Sequence, residues 1–394
     1  MRRVYFDANA TTPLLPEVLE AVRPFFLERF GNASSIHREG QQARAAVEAA
    51  RERVAGMLHC RASEIVFTGG ATESDNLALF GLARPGDHVI TTSVEHHAVL
   101  HTAEKLCERG REVTVLPVDG SGRISPDDVR GVLRPETRLI SVMAANNETG
   151  VMQPVEEIGR IAAETGVSFH TDAVQAAGKI PLDTKAIGCG LLSISGHKMH
   201  APQGVGALFV RSGVALEPLQ IGGSHERRRR AGTENVPGIV GLGKAAEIAV
   251  EGLRDHAPER IAALRDRLEQ AILDRVKDCG VNGWGAPRVC NTTNLWFDRL
   301  EVEALVIALD LKGLAVSGGS ACASGATEPS HVLMAMGLSP QRARGSIRVS
   351  LQKSATEEDV DFAAKLIPEQ VERLRRLSPQ SSSRRVVSAG IPAL

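Results

Sequence analysis

Aromatic residues are scarce in this 394-residue chain: phenylalanine, tyrosine and tryptophan make up 3% of it, and there is one tyrosine. Stacking platforms for single-stranded nucleic acid need several exposed rings and are not expected here. An excess of one charge is also missing. The 46 Lys and Arg offset 47 Asp and Glu to a net −1, which argues against a protein whose main task is gripping phosphate backbones. No apolar run approaches the ~20 residues that span a bilayer. The opening Met1-Arg2-Arg3-Val4-Tyr5-Phe6-Asp7 turns polar too early for a signal-peptide core. The expectation is a cytoplasmic protein with no membrane partner.

Cysteine is sparse as well, at Cys60, Cys107, Cys189, Cys279, Cys290 and Cys322. No two are separated by only two or three residues, so zinc-ribbon and thioredoxin-like spacings are absent. A disulfide framework is not expected in a chain this long. On composition alone the cysteines read as reduced core residues. Lysine is rare too, with nine against 37 arginines. What is present is 43% hydrophobic and 24% charged residues, enough to build a core in two or three domains of ~150 residues.

Between 64 and 210, β-rich runs at 65–68, 88–92, 112–116, 139–144, 168–171 and 191–194 alternate with amphipathic stretches such as 98–109 and 154–164. Such alternation predicts an α/β fold, a mostly parallel sheet with helices on both faces. Ligands of these sheets bind at the carboxyl ends of strands, so the polar residues there are the candidates. After Gly238 come helices at 239–253 and 258–276, a strand at 293–297, a helix at 302–311 and a strand at 346–350. A last helix opens at the capping-box spacing Thr356-x-x-Asp359. This half predicts a smaller α+β domain. Residues 378–394 lack periodicity and read as a tail.

Three strand ends carry candidate chemistry. Gly69-Gly70-Ala71-Thr72 joins the 65–68 strand to a helix start, which suits either an anion site or a plain tight turn. Asp172 follows the 168–171 strand, as a catalytic-edge carboxylate or as a helix N-cap. Ser195, His197 and Lys198 follow the apolar run 190–194. Burial of an amine favours its neutral, nucleophilic form, as Schiff-base chemistry requires. Taken together, a carboxylate for a pyridine nitrogen, a lysine for an aldehyde and an anion site describe one cofactor, pyridoxal 5'-phosphate.

The segments Asp7-Ala8-Asn9-Ala10-Thr11-Thr12, Gly70-Ala71-Thr72-Glu73-Ser74-Asp75-Asn76, Asn146-Asn147-Glu148-Thr149-Gly150 and Ser195-Gly196-His197-Lys198 resemble those of the NifS/IscS-type cysteine desulfurases. So do Arg230-Ala231-Gly232-Thr233-Glu234-Asn235 and Ser317-Gly318-Gly319-Ser320-Ala321-Cys322. The resemblance runs from about residue 3 to about 377. It implies the aspartate-aminotransferase-like fold type I, with a seven-stranded, mostly parallel sheet in a large domain at 14–253. A smaller domain would comprise 1–13 with 254–377. By the same resemblance Lys198 is the Schiff-base lysine, Asp172 the partner of the pyridine nitrogen and Gln175 that of the phenolic oxygen. His96 would stack on the ring and, as a catalytic residue, assist proton transfer. Ala71, Thr72, Ser195 and His197 would cradle the phosphate, joined by Thr233 of a second copy in a homodimer. Asn147 and Arg348 would clamp the substrate carboxylate.

Cys322 would be the nucleophile. Its surroundings, 315–327, are Ser, Gly and Ala with almost no bulky apolar group, unlike packed core. The implied reaction converts L-cysteine to L-alanine and leaves an enzyme persulfide on Cys322, in a loop at 317–329 that has to move. The sulfur then passes to an iron–sulfur scaffold protein or another acceptor. No intrinsic metal site is implied, Cys322 at most touching a cluster during transfer. A selenocysteine lyase, another fold-type I enzyme and a noncatalytic sulfur-trafficking subunit are the alternatives. Arg227–Arg230 reads either as a loop near the dimer interface and site mouth or as a docking patch for an acidic partner or tRNA.

Overall fold

A computed structural model of the protein describes residues 2–318 and 328–377. Its centre is a seven-stranded sheet in the order Ile65–Thr68, Gly206–Val210, Leu191–Ser195, Ser168–Asp172, Thr137–Ser141, His88–Thr92, Glu112–Leu116. Only Gly206–Val210 runs antiparallel to its neighbours, so the other six present their carboxyl ends at one edge. Leu191–Ser195 and Gly206–Val210 are buried along their whole length, as strands covered by helices on both faces must be. The expected seven-stranded, mostly parallel sheet is therefore the observed one.

Two differences from the sequence reading have simple causes. Gly206–Val210 shows no alternation with a helix, because it returns directly beside Leu191–Ser195. The fifth strand in sheet order ends at Ser141 rather than 144, although Val142 and Ala144 still donate to His170 and Asp172 oxygens at 3.1 and 2.8 Å. Those extra bonds carry the chain over the edge and into the turn at Asn146. Gly206 lies opposite both Thr68 and Ser195. A Cβ there would sit 2.7–2.8 Å from the Ile194 oxygen and the Gly70 backbone; only glycine lets the Gly69-Gly70 turn close against the sheet.

Arg38–Met57 packs along Val236–Arg254. Its buried face is small, with Gly40, Ala43, Val47, Ala50 and Val54 at helical spacing, and a Cβ on Gly243 would fall 2.6 Å from the Ala50 Cα. The second half of the chain forms a four-stranded antiparallel sheet, in the order Ser317–Gly318, Ser346–Ser350, Thr292–Phe297, Cys279–Val281. Helices Ala257–Arg275 and Glu357–Leu377 cover it over a core that includes Leu268, Ile347 and Ile367. Thr356 and Asp359 cap the last helix reciprocally: each backbone N–H donates to the other's side chain at 3.2 Å. The N-terminal strand Val4–Tyr5 pairs in parallel with Leu314–Ala315, and Asp7 bridges to Ser350. Residues 8–12 then cross to the carboxyl edge of the large sheet.

The core reading of the cysteines holds for Cys189, which is fully buried, but not for Cys107, which is exposed on the last turn of helix His97–Glu108. Cys60, Cys279 and Cys290 are partly buried. Cys322 and the 378–394 tail lie outside the described residues.

The arginine run is anchored at its two ends, at Glu226 and Arg230, while Arg227 and Arg228 between them are exposed. Glu226, in a turn with φ of 43°, is buried and accepts both Arg51 Nη atoms at 2.7 and 2.8 Å and the Phe67 N–H at 2.9 Å. Arg230 donates to Glu73 at 2.9 Å, and Glu73 in turn accepts the Gly69 N–H at 2.7 Å. Replacing Arg51 with methionine would strand the buried Glu226 carboxylate. An expected loss of about 3–5 kcal/mol follows, measurable as a lowered urea midpoint with an unchanged slope.

Candidate active site

A cavity of 790 Å³ opens at the carboxyl edge of the large sheet. Ala71, Thr72, His96, Asn147, Asp172, Gln175, Ser195, His197, Lys198 and Arg348 all line it. These come from five separate strand ends and from the antiparallel sheet, so the fold gathers residues that are up to 277 positions apart in sequence. Thr233 does not join them. It is exposed and outside the cavity of its own chain.

One wall is built for an anion. Helix Ala71–Leu82 starts after Gly70, at φ of 150°, with no side chain capping it. Its first N–H groups therefore face the cavity without a side-chain acceptor, at the positive end of the helix dipole. Thr72, Ser195 and His197 add polar side chains beside it. Burial, reinforced by the charge of Lys198, lowers His197 to about 4, so its ring is neutral at pH 7.

The floor holds Asp172. One of its carboxyl oxygens accepts the Val174 N–H at 2.9 Å, so the N-cap-like contact and the cavity position coexist. Burial raises this carboxyl to about 6, against the lowering effects of that N–H and of the Lys198 charge. Behind it lies Asp75, 1% exposed, with the Ser193 hydroxyl beside its carboxyl. His170 Nε2 stands 3.5 Å away, and burial takes His170 down to about 3, so it brings no charge. Burial, and then repulsion from Asp172, raise Asp75 well above the carboxylate range. Burial raises both carboxyls, and the repulsion between them makes the pair hold a proton more readily than two exposed carboxylates would.

Lys198 sits on the turn Gly196–Lys198, and its Nζ donates to the Asn9 and Ala10 oxygens at 2.6 and 2.7 Å. His96 caps helix His97–Glu108, accepting the Ala98 N–H on Nδ1 at 3.1 Å. That contact puts the proton of the neutral ring on Nε2. Burial, then the nearby Lys198 charge, take His96 down to about 4. On the opposite wall Arg348, 2% exposed, donates to the Asn147 oxygen at 3.1 Å and to Asp7 at 2.8 Å. Its Nε–H has no partner among the described residues. A buried, unmatched guanidinium donor in a cavity calls for an anionic ligand such as a carboxylate.

Sequence reasoning assigned no role to Glu148 and His331, which line the cavity, or to Glu95 next to it. Glu148 is fully buried, takes the Ser330 hydroxyl at 2.5 Å and keeps one oxygen without a partner. Glu95 accepts Thr92 and the Met143 N–H at 2.8 and 2.9 Å, and burial lifts it to about 8. His331 packs against His97, ring centroids 4.5 Å apart, and contacts the Glu95 oxygen at 3.0 Å. The only signal for Glu148 was its place inside a quoted motif, and Glu95 had none, since a single Glu in a sequence usually reads as surface.

The donor set fits pyridoxal 5'-phosphate: an uncapped helix N-terminus for a phosphate, a buried carboxylate to pair with a cation and a cavity lysine. Cys322 lies outside the described residues. The segment that contains it leaves and re-enters at the cavity wall. Ser317 pairs with Arg348 on one side. On the other, Ser330 and His331 bind Glu148 and Glu95.

A family model described as aminotransferase class-V matches residues 4–362. A protein of Methanosarcina thermophila named cysteine desulfurase IscS is 48% identical over 96% of this chain and 94% of its own length. One of Trichormus azollae, named cysteine desulfurase, is 51% identical over 96% of this chain and 95% of its own. The solved structure of a NifS-like protein superposes with a TM-score of 0.88 at 39% identity, covering 94% of this chain and all of the other. A structure described as SspA in complex with cysteine gives a TM-score of 0.79 at 38% identity, over 89% of this chain and 99% of that one.

Proposed function

Because the chain belongs to the aminotransferase class-V family, we propose that it is a pyridoxal 5'-phosphate-dependent cysteine desulfurase, taking sulfur from L-cysteine and releasing L-alanine. The observation that carries this reading is the meeting of Lys198, Asp172 and Arg348 in one cavity, bracketed by both ends of the segment that holds Cys322.

In this reading Ala71, Thr72, Ser195 and His197 hold the phosphate, with Thr233 of a second copy reaching in from outside. Asp172 would pair with the ring nitrogen, Gln175 would donate to the phenolic oxygen, and His96 would pack on the ring. Once bound, the cofactor withdraws electrons from the substrate's Cα and makes its proton acidic. Lys198 Nζ takes that proton. Arg348 and Asn147 orient the substrate through its carboxylate, a bidentate task suited to guanidinium geometry. The Cys322 thiolate then attacks the substrate sulfur. The new S–S bond forms as the substrate's Cβ–Sγ bond breaks and the electron pair goes to Cβ; protonation of Cβ and return of the Cα proton from Lys198 then yield alanine.

Exposed Phe26, Phe30, Ile36 and Ile221, from 65% to 93% accessible, support a homodimer. No helix among the described residues is long and apolar enough to cross a membrane, and a cytoplasmic location is part of the proposal. So is delivery of the persulfide sulfur to an iron–sulfur scaffold protein or a comparable acceptor. The decisive assay supplies purified protein with the cofactor, L-cysteine and dithiothreitol. Alanine and sulfide in equal amounts are expected; a coloured protein that releases neither overturns the reading.

A further inference from the structure

Beneath the cavity, Lys179 sits where no part of the proposed mechanism uses it. It lines a second, 80 Å³ cavity between the two halves of the protein, on the far side of Asn9 from the active site. Its Nζ donates to Gln175 Oε1 at 2.8 Å and to Asn9 Oδ1 at 3.2 Å. We propose that Lys179 is a positioning residue that fixes the Gln175 side-chain amide with its NH2 group toward the active site. This rests on the cofactor reading above.

The argument is one of hydrogen-bonding capacity. An ammonium has three donors and no acceptor, so the amide atom it touches must be the carbonyl oxygen. With Oε1 held in this way, Nε2 is the amide group left for the other side. One of its hydrogens goes to the Asn9 backbone oxygen at 3.1 Å, and the second remains for a ligand in the cavity that Gln175 lines. The same logic orders Asn9. Its Oδ1 is taken by Lys179 and by Asn291 at 3.2 and 3.1 Å, and its Nδ2 donates to Asn147 O and Thr292 at 3.1 and 2.9 Å. Asn9 O is also the atom that receives the Lys198 amine at 2.6 Å. One buried cation thus holds the oxygen ends of two amides whose NH2 ends donate to the Asn9 and Asn147 backbone oxygens, and through Asn9 it reaches the segment on which Lys198 rests.

A flipped Gln175 would turn its carbonyl oxygen toward the cavity, where it would repel an anionic phenolic oxygen instead of stabilising it. The charged groups that act on Lys179 are Lys198 and Arg348, which disfavour its charge; Cys290 would favour it only as a thiolate, and burial keeps it a thiol at neutral pH. Burial is the largest influence and brings Lys179 down to about 7, so the donor-only form is present at and below neutral pH.

The test is the pH titration of the bound cofactor's visible absorbance in the holoenzyme, recorded for wild type, Lys179→Met, Lys179→Arg, Gln175→Ala and the Lys179→Met/Gln175→Ala double variant. Loss of one hydrogen bond to the anionic oxygen is expected to raise the Lys179→Met midpoint by about one pH unit. Arginine, also donor-only, should restore the wild-type midpoint. In the Gln175→Ala background the methionine change should produce no further shift, because its effect runs through Gln175. An unmoved midpoint in Lys179→Met overturns the proposal, as does an equal shift with and without Gln175. If Lys179→Met does not fold, Lys179→Arg against Gln175→Ala decides, since a shift in Lys179→Arg as large as in Gln175→Ala also overturns it. A wild type that takes up no coloured cofactor overturns the functional reading, and this inference with it.

Discussion

Replacing Lys198 with alanine should leave a folded protein that no longer holds the cofactor covalently and that turns over L-cysteine roughly 10³–10⁴-fold more slowly. Lys198 stands on a short turn at the end of the buried strand Leu191–Ser195, and its side chain reaches into the cavity rather than into packed core. Truncation therefore opens no void, and far-UV circular dichroism should not change. What disappears is the only lysine that lines the main cavity among the described residues, and with it the amine that would take the substrate's Cα proton. The measurement is borohydride reduction followed by mass spectrometry. Wild type should retain the cofactor as a stable adduct on the peptide with residue 198, and the variant should show none. Attachment at Lys179 in the wild type would displace Lys198 from its role, since Lys179 lies on the other side of Asn9.

The parts of this site that can be read in the sequence are those that follow strands. Asp172 and Lys198 stand out because a run of buried β-residues ends just before each of them, and the sheet order then brings both to one edge. Gly69-Gly70 is legible for a different reason, a pair of glycines where a strand meets a helix. Arg348 could not be placed from pattern alone. It comes from the centre of a strand in the other sheet, and only the resemblance tied it to the site. Helix Arg38–Met57 was also missed, because its inner face of glycine and alanine gives little hydrophobic contrast. Asp75, Glu95 and Glu148 are invisible for an electrostatic reason. A carboxylate in a sequence is by default solvated, and burial is what raises these three. The protonation pattern beneath the proposed cofactor site follows from the fold and from no local motif.

Cys322→Ser should separate cofactor chemistry from sulfur transfer. The variant is expected to bind the cofactor and respond spectrally to L-cysteine, yet to carry no persulfide and to release sulfide at less than about a thousandth of the wild-type rate, a barrier increase of more than about 4 kcal/mol. A hydroxyl does not replace a thiolate as the attacking group. Chain geometry permits the role. Gly318 pairs with Ile347, next to Arg348, so the last described residue before the segment that holds Cys322 lies beside a residue of the cavity wall. The other cysteines are poorly suited to it. Burial pushes Cys60 and Cys189 up to about 12 and also raises Cys279 and Cys290, which keeps these four as thiols at neutral pH. Cys107 is exposed, but it does not line the cavity. Wild-type protein mixed with L-cysteine and mapped by mass spectrometry should therefore gain sulfur on the peptide containing residue 322. Sulfur on Cys107 or Cys290 instead, and undiminished in the serine variant, would move the nucleophile to that residue and leave the Lys198 chemistry standing.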